Sequence, residues 1–291
     1  MKKTMQEKSF DVFVGAFVLA LVVITLYPLI YVFSMSISDP FSVARSEIWL
    51  WPKGLSFEAF KTVLNDSNIY LYYFNTLWYT VVGTVLGVLV TALAAYPLSR
   101  RNFRPRNFFM MLITFTMFFS GGLITTYLVT ARFLGLYNTR WAIVLPTLTT
   151  AWYVIVARTF FTTIPDEMLE SVRMDGASEY RVFAQFVLPL SAPILSVLAL
   201  YFAIGYWNNF FSALLYLGKK ELHPLALYVR RVVIQSSLES SDAVDLSAAA
   251  VMSQIQIKYA VIVVAVLPIL LLYPFLSKYL SKGLMVGSLK G

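Results

Sequence analysis

Two short stretches of this 291-residue chain place polar groups where their surroundings are apolar. One is Tyr206-Trp207-Asn208-Asn209-Phe210-Phe211, set inside a long apolar run. Amides donate and accept hydrogen bonds, and aromatic faces pack on apolar faces of a solute, so this group can hold a polyhydroxylated molecule without any charge. Adjacent amides in an apolar helix need partners in the protein or a water-filled path; bonding to neighbouring helices is an equal alternative. Tyr206, Trp207, Asn208 and Asn209, with Tyr153, are therefore the candidate path residues. The other stretch, from Ile164 to Pro193, carries seven charged side chains between two apolar blocks and must lie in water. Asp166 follows Pro165 where an N-cap belongs, and Glu167 and Glu170 fall in the first turns, where the helix dipole favours negative charge. Asp175-Gly176 reads as a helix stop, because Gly takes the left-handed conformation of a C-terminal cap. Ser178 then caps a second helix running toward Pro189, which predicts a helix-turn-helix elbow on a membrane surface.

Other chemistries lack their residues. The chain has no cysteine, which removes disulfides, thiol catalysis and cysteine-ligated metals. Its single histidine, His223, precedes a proline in a polar loop and reads as a solvated turn residue. There is no GxxxxGK[ST] loop to cradle phosphates, no HExxH, and no pair of intramembrane carboxylates. No catalytic residue and no metal ligand is expected. A membrane protease is disfavoured, and so is a proton-coupled carrier, which needs an ionisable group at midplane. The net charge of +8 is spread among apolar segments without a basic stripe, so no nucleic-acid partner is expected.

The elements that must position these residues are membrane helices. Apolar residues make up 59% of the chain and charged residues 13%, against about a quarter charged in soluble domains, and mean hydropathy is +0.72. The fold class is all-α, a polytopic membrane protein with six spans: 12–32, 70–99, 108–130, 141–161, 190–217 and 248–280. The first is too long for a cleaved signal core and lacks a small-x-small site, so it stays as a span. Gly83 and Gly87 form a GxxxG step for close helix packing, Gly121-Gly122 can bend the third span, and Pro146 frees a carbonyl in the fourth. Arg100, Arg101, Arg104 and Arg106 form the densest positive cluster, and with both termini cytoplasmic just over half of the 23 Lys and Arg fall inside. Outer loops are expected at about 36–69, where Trp49 and Trp51 suit the headgroup boundary, and at about 218–247. No repeat divides the chain, so residues 1–291 read as a single transmembrane domain.

At the elbow, Glu170, Asp175, Gly176, Ala177, Phe183, Leu188 and Pro189 stand at the spacing of the EAA loop, and the chain resembles permease subunits of ATP-binding-cassette importers, in their carbohydrate branch. It departs at Ser171 and Val172, where the loop has alanines. Tyr27-Pro28-Leu29-Ile30-Tyr31, the Trp-Asn segment and the tail KGLMVGSLKG extend the resemblance over most of the chain. The resemblance implies a coupling-helix loop at about 162–188, with Glu170, Arg173, Met174, Asp175, Gly176 and Ala177 as the ATPase-coupling residues and Glu170 meeting a basic residue of the ATPase. It also implies alternating-access import of a sugar, of oligosaccharide size, across a bacterial cytoplasmic membrane. The implied partners are a second homologous permease, two ATPase subunits carrying ATP and Mg, an extracytoplasmic substrate-binding protein and membrane lipid. This chain itself would bind no cofactor and would not be an enzyme. Arg132, Arg140, Arg230 and Arg231 on the outer side would suit an anionic sugar, an acidic binding protein or lipid headgroups. An ion-coupled secondary transporter of a small polar solute and a polytopic membrane enzyme are the alternatives; both leave the elbow without a role.

Overall fold

The computed structural model describes residues 4–239 and 254–271. The tail from Lys282, most of the second outer loop beyond residue 239 and both ends expected for the sixth span lie outside the described residues.

The described residues are helical apart from turns and one isolated bridge, Ser38 to Leu55. Three helices are long and apolar enough to cross a bilayer unbroken: α1 (Met5–Ser36), α4 (Ser67–Ser99) and α14 (Gln254–Leu271). Short helices α2 (Pro40–Ala44) and α3 (Glu58–Asn65) lie between the first two. Three further pairs qualify only when two helices are taken together across a break. These are α5 (Arg106–Phe118) with α6 (Gly122–Phe133), bent by 118°, and α7 (Trp141–Thr147) with α8 (Ala151–Phe161), bent by 52°. The third pair is α10 (Glu179–Leu190) with α11 (Ala192–Trp207), bent by 79°. Counting each pair as one crossing gives six. The break at Gly121-Gly122 is far sharper than a packing glycine pair requires, and Gly122 has φ +75°, which a side-chain-bearing residue rarely takes.

Between the bent pairs lies α9 (Asp166–Met174), followed after α11 by α12 (Phe211–Tyr216) and α13 (Leu225–Glu239). The last of these is a difference from expectation: the polar stretch after Lys219 contains a 15-residue helix. His223 is likewise buried rather than solvated, with Nε2 3.1 Å from the Leu217 carbonyl.

By their packing the described residues group into two compact units. The first joins α1 to α3 with most of α13 and α14. Its fixed point is Gln256, buried, whose amide donates to the carbonyls of Ser38 (2.7 Å) and Ser36 (3.3 Å). The second unit centres on Tyr70–Tyr228 and holds both candidate sites. Its inner core gathers Ala95, Leu98, Phe161, Leu169, Val182 and Phe183, so that α4, α8, α9 and α10 share one apolar centre.

Candidate functional site

The elbow forms where the residue pattern places it. Helix α9 begins after Pro165, which occupies the N-cap without a side-chain bond, whereas the sequence points to Asp166. The Asp166 carboxylate instead leaves the helix to meet Arg100 Nη1 at 3.2 Å. At the other end Gly176 has φ +81°. Its N–H reaches the Arg173 carbonyl (2.9 Å) and the Ala177 N–H reaches that of Val172 (3.3 Å), a paired closure of the last turn that requires the left-handed glycine. Ser178 then accepts from the Arg181 N–H and starts α10.

Helix α9 carries two stripes at helical spacing. Asp166, Leu169 and Arg173 turn toward the chain, with Leu169 fully buried. Glu167, Glu170 and Met174 are exposed, Met174 at 86%. Among the described residues Glu170 makes no ion pair. Asp175 and Gly176 are exposed at the turn and Ala177 is half-buried. Arg173, expected to face an ATPase, is held by Glu179 of its own chain through two bonds of 2.7 and 3.2 Å. That hydrogen bonding, aided by one from the Tyr96 hydroxyl, keeps the Glu179 carboxyl below its usual 4.5. Burial draws Arg100 down from the ordinary arginine range, and the Asp166 charge opposes it.

The second site is a cleft of about 160 Å³ between α7, α8 and α11, lined by Thr147, Thr150, Tyr153, Tyr201, Phe202, Gly205, Tyr206 and Asn209. Of the candidate path residues it brings together Tyr153, Tyr206 and Asn209. Trp207 is buried and Asn208 exposed, and neither lines it. Asn208 closes the end of α11, its amide donating to the Ile204 carbonyl at 2.9 Å, while Asn209 Oδ1 accepts from the Ser212 N–H and starts α12. Both amides thus serve a helix break inside the expected span.

Tyr206 serves a different break. Its hydroxyl donates toward the carbonyls of Val144 and Thr147 (3.3 Å each) and accepts from Thr147 Oγ1 (3.1 Å), partnering polar groups left open where α7 stops after Pro146. Its ring seats against Gly83, where a Cβ would collide with it, and the Phe202 ring sits likewise on Gly87. The GxxxG step of α4 is therefore a notch for two aromatic rings of α11.

The free aromatic surface belongs to Tyr153 and Tyr201, stacked at 6.2 Å between centroids with 19° between planes. No carboxylate, histidine, lysine or arginine lines the cleft. Arg140, expected from sequence on the outer side, is engaged elsewhere: its Nη2 donates to Asn75 Oδ1 at 3.0 Å, and its guanidinium lies over Phe74 and Trp78. Tyr201, Phe202 and Gly205 are absent from the candidates read from sequence, although Tyr201 and Gly205 are four residues apart and share one face of α11. Arg100 and Tyr96 carry no such signal, since their carboxylate partners Asp166 and Glu179 lie 66 and 83 residues away in sequence. Among the described residues no group of three His, Cys, Asp or Glu could hold a metal ion.

A capped amphipathic elbow between membrane helices, in the same compact unit as a neutral aromatic cleft, describes a transporter's membrane subunit. Residues 69–286 match the family of the binding-protein-dependent transport system inner membrane component, and the chain belongs to that family. Across all 291 residues it is 38% identical to Protein LplC of Bacillus subtilis, covering 98% of that protein. It is 36% identical to the polygalacturonan/rhamnogalacturonan transport system permease protein YtcP of the same organism, over 99% of this chain and 100% of that one. A crystal structure of a bacterial ABC transporter involved in the import of the acidic polysaccharide alginate superposes with a TM-score of 0.87 at 30% identity, over 96% of this chain and 99% of the other. The chain is thus an ATP-binding-cassette importer permease of a bacterial inner membrane, not an enzyme, and it works with an ATPase and a substrate-binding protein.

Proposed function

We propose that this permease carries an oligosaccharide inward by alternating access, as one half of a heterodimer with a second, homologous permease. Two ATPase subunits carry ATP and Mg on the cytoplasmic side, an extracytoplasmic binding protein delivers the cargo, and six crossings leave both termini in the cytoplasm. The observation that carries the reading is the exposed stripe Glu167, Glu170 and Met174 on α9, a capped helix presented to water with its other face locked to the chain. Closure of the ATPases would press α9 of this chain toward its counterpart and favour the outward-facing state, which is how ATP gains leverage over the spans.

Cargo chemistry follows from the cleft. The Tyr153–Tyr201 stack offers a face for sugar rings, and Asn209, Thr147 and Thr150 offer hydroxyl partners. The relatives named for polygalacturonan and alginate support an acidic oligosaccharide. The cleft supplies ring faces and hydroxyl bonding but no cation, so the carboxylates of such a cargo would be matched by the second permease. An ion-coupled carrier would need an acid or base in this cleft.

The test is to purify the chain with its ATPase and second permease, and to compare assembly and cargo-stimulated ATP hydrolysis for wild type and Gly176→Trp. The variant should lose assembly or stimulation. A wild-type chain that never associates with an ATPase, together with a variant that transports normally, would overturn the reading.

A further inference from the structure

Helix α9 is joined to the end of α4 at two points. At its N-terminal end, the buried Arg100 guanidinium donates to the Phe161 carbonyl, to Ser99 Oγ through Nε (2.9 Å) and to Asp166 Oδ1 (3.2 Å). At its C-terminal end, the Tyr96 hydroxyl donates to Glu179 Oε2 (2.9 Å), and Glu179 holds Arg173 in the two bonds described above. Asp166 and Arg173 are seven residues apart on one face, about 10 Å along the helix. The two points are themselves linked, because Arg100 lies over the Tyr96 ring at 5.6 Å. Leu169 fills the space between them in the apolar core.

Helix α4 is also the one unbroken long helix of the second unit among the described residues, while its neighbours there are interrupted by bends of 52° to 118°. An interrupted span absorbs displacement at its break; a continuous helix passes it on. About 20 Å or more along α4 from Arg100, Gly87 and Gly83 seat Phe202 and Tyr206, two walls of the cleft.

We propose that Arg100 and the Tyr96–Glu179–Arg173 chain form a two-point latch that makes α4 move with α9, so that displacement of the elbow reaches the cleft through the second span. Tyr96 and Arg100 are positioning residues in this scheme: they touch neither cargo nor nucleotide. The inference rests on the importer reading and adds the route by which the elbow acts.

The test uses the complete importer in proteoliposomes, with the wild-type complex as reference, so that failure of the wild type to assemble reports on the importer reading alone. Tyr96→Phe removes one hydroxyl and leaves the ring, and Arg100→Lys keeps the charge but loses the fork. Cargo moved per ATP hydrolysed should fall about three- to ten-fold in each, the factor a single net hydrogen bond represents. Assembly yield in Tyr96→Phe should match wild type, and the double variant should fall by less than the product of the singles, because both act through one latch. Unchanged cargo per ATP in both single variants would overturn the proposal, as would a transport loss that only follows the amount of assembled complex. Independent, multiplying effects of the two changes would overturn the claim of a single latch.

Discussion

The ring of Phe202 rests on Gly87 so closely that a Cβ built on the glycine would lie 2.7 Å from Cε1. Gly87→Ala should therefore push the ring out of its notch and lower the stability of the purified chain by about 1–3 kcal/mol. Thermal unfolding in detergent reads this directly. A second change, Phe202→Leu, should recover much of the loss; an additive loss instead would show that the contact is not the cause.

Gly176 gives a contrasting case, because a Cβ there meets nothing within 4 Å and only its φ of +81° resists substitution. Gly176→Ala should cost about 1–2 kcal/mol at the turn through backbone conformation alone. Asn, which takes the left-handed region more readily, should be milder than Ala, and Val worse than either. ATPase co-purification across the four residues should fall in the order Gly, Asn, Ala, Val.

The depressed Glu179 carboxyl fixes the sign of a pH effect. A carboxyl held below its usual 4.5 contributes stability that is complete above that value and is lost as pH falls through the lower folded value. Unfolding temperature should thus be insensitive to this group between pH 6 and 8 and fall on acidification below about 4.5. Glu179→Gln should remove that part of the acid slope. A Gln variant with the same acid profile as wild type would refute the assignment.

Tyr201 and Tyr206 line the same cleft with opposite duties. Tyr201 is 52% exposed, so Tyr201→Ala should raise the cargo concentration for half-maximal transport about three- to ten-fold, the scale of one aromatic contact, without loss of assembly. Tyr206→Phe removes a hydroxyl committed to Val144 and Thr147; it should lower stability by about 1 kcal/mol and leave cargo concentration dependence intact. Transport kinetics and melting curves on the same preparations separate the two.

Local chemistry was readable from sequence and distant pairing was not. Asp175-Gly176-Ala177 announces its turn because few residues other than glycine close a helix in the left-handed region, and the structure has that closure. Gly83 and Gly87 announce a close approach but not what approaches, since Phe202 and Tyr206 are brought there only by the fold. Arg100 reads as one of four arginines in a positive cluster; packing of α8 and α9 onto α4 makes it the buried one. Asn208 and Asn209 show the limit from the other side: adjacent amides in an apolar run point to a solute path, yet each bonds to backbone at a helix break that hydropathy conceals.

Those breaks separate backbone closed by regular helical turns from backbone held by irregular bonds. Amides in a continuous helix such as α4 are closed by their own turns, so they should keep their protons for hours in heavy water. At 119–121, 148–150 and 208–210 the regular helical ladder is interrupted, and polar groups there turn to irregular local bonds or to side chains such as Tyr206 and Asn209. Deuterium should enter this membrane protein first at its bends, and hydrogen exchange followed residue by residue would map them directly.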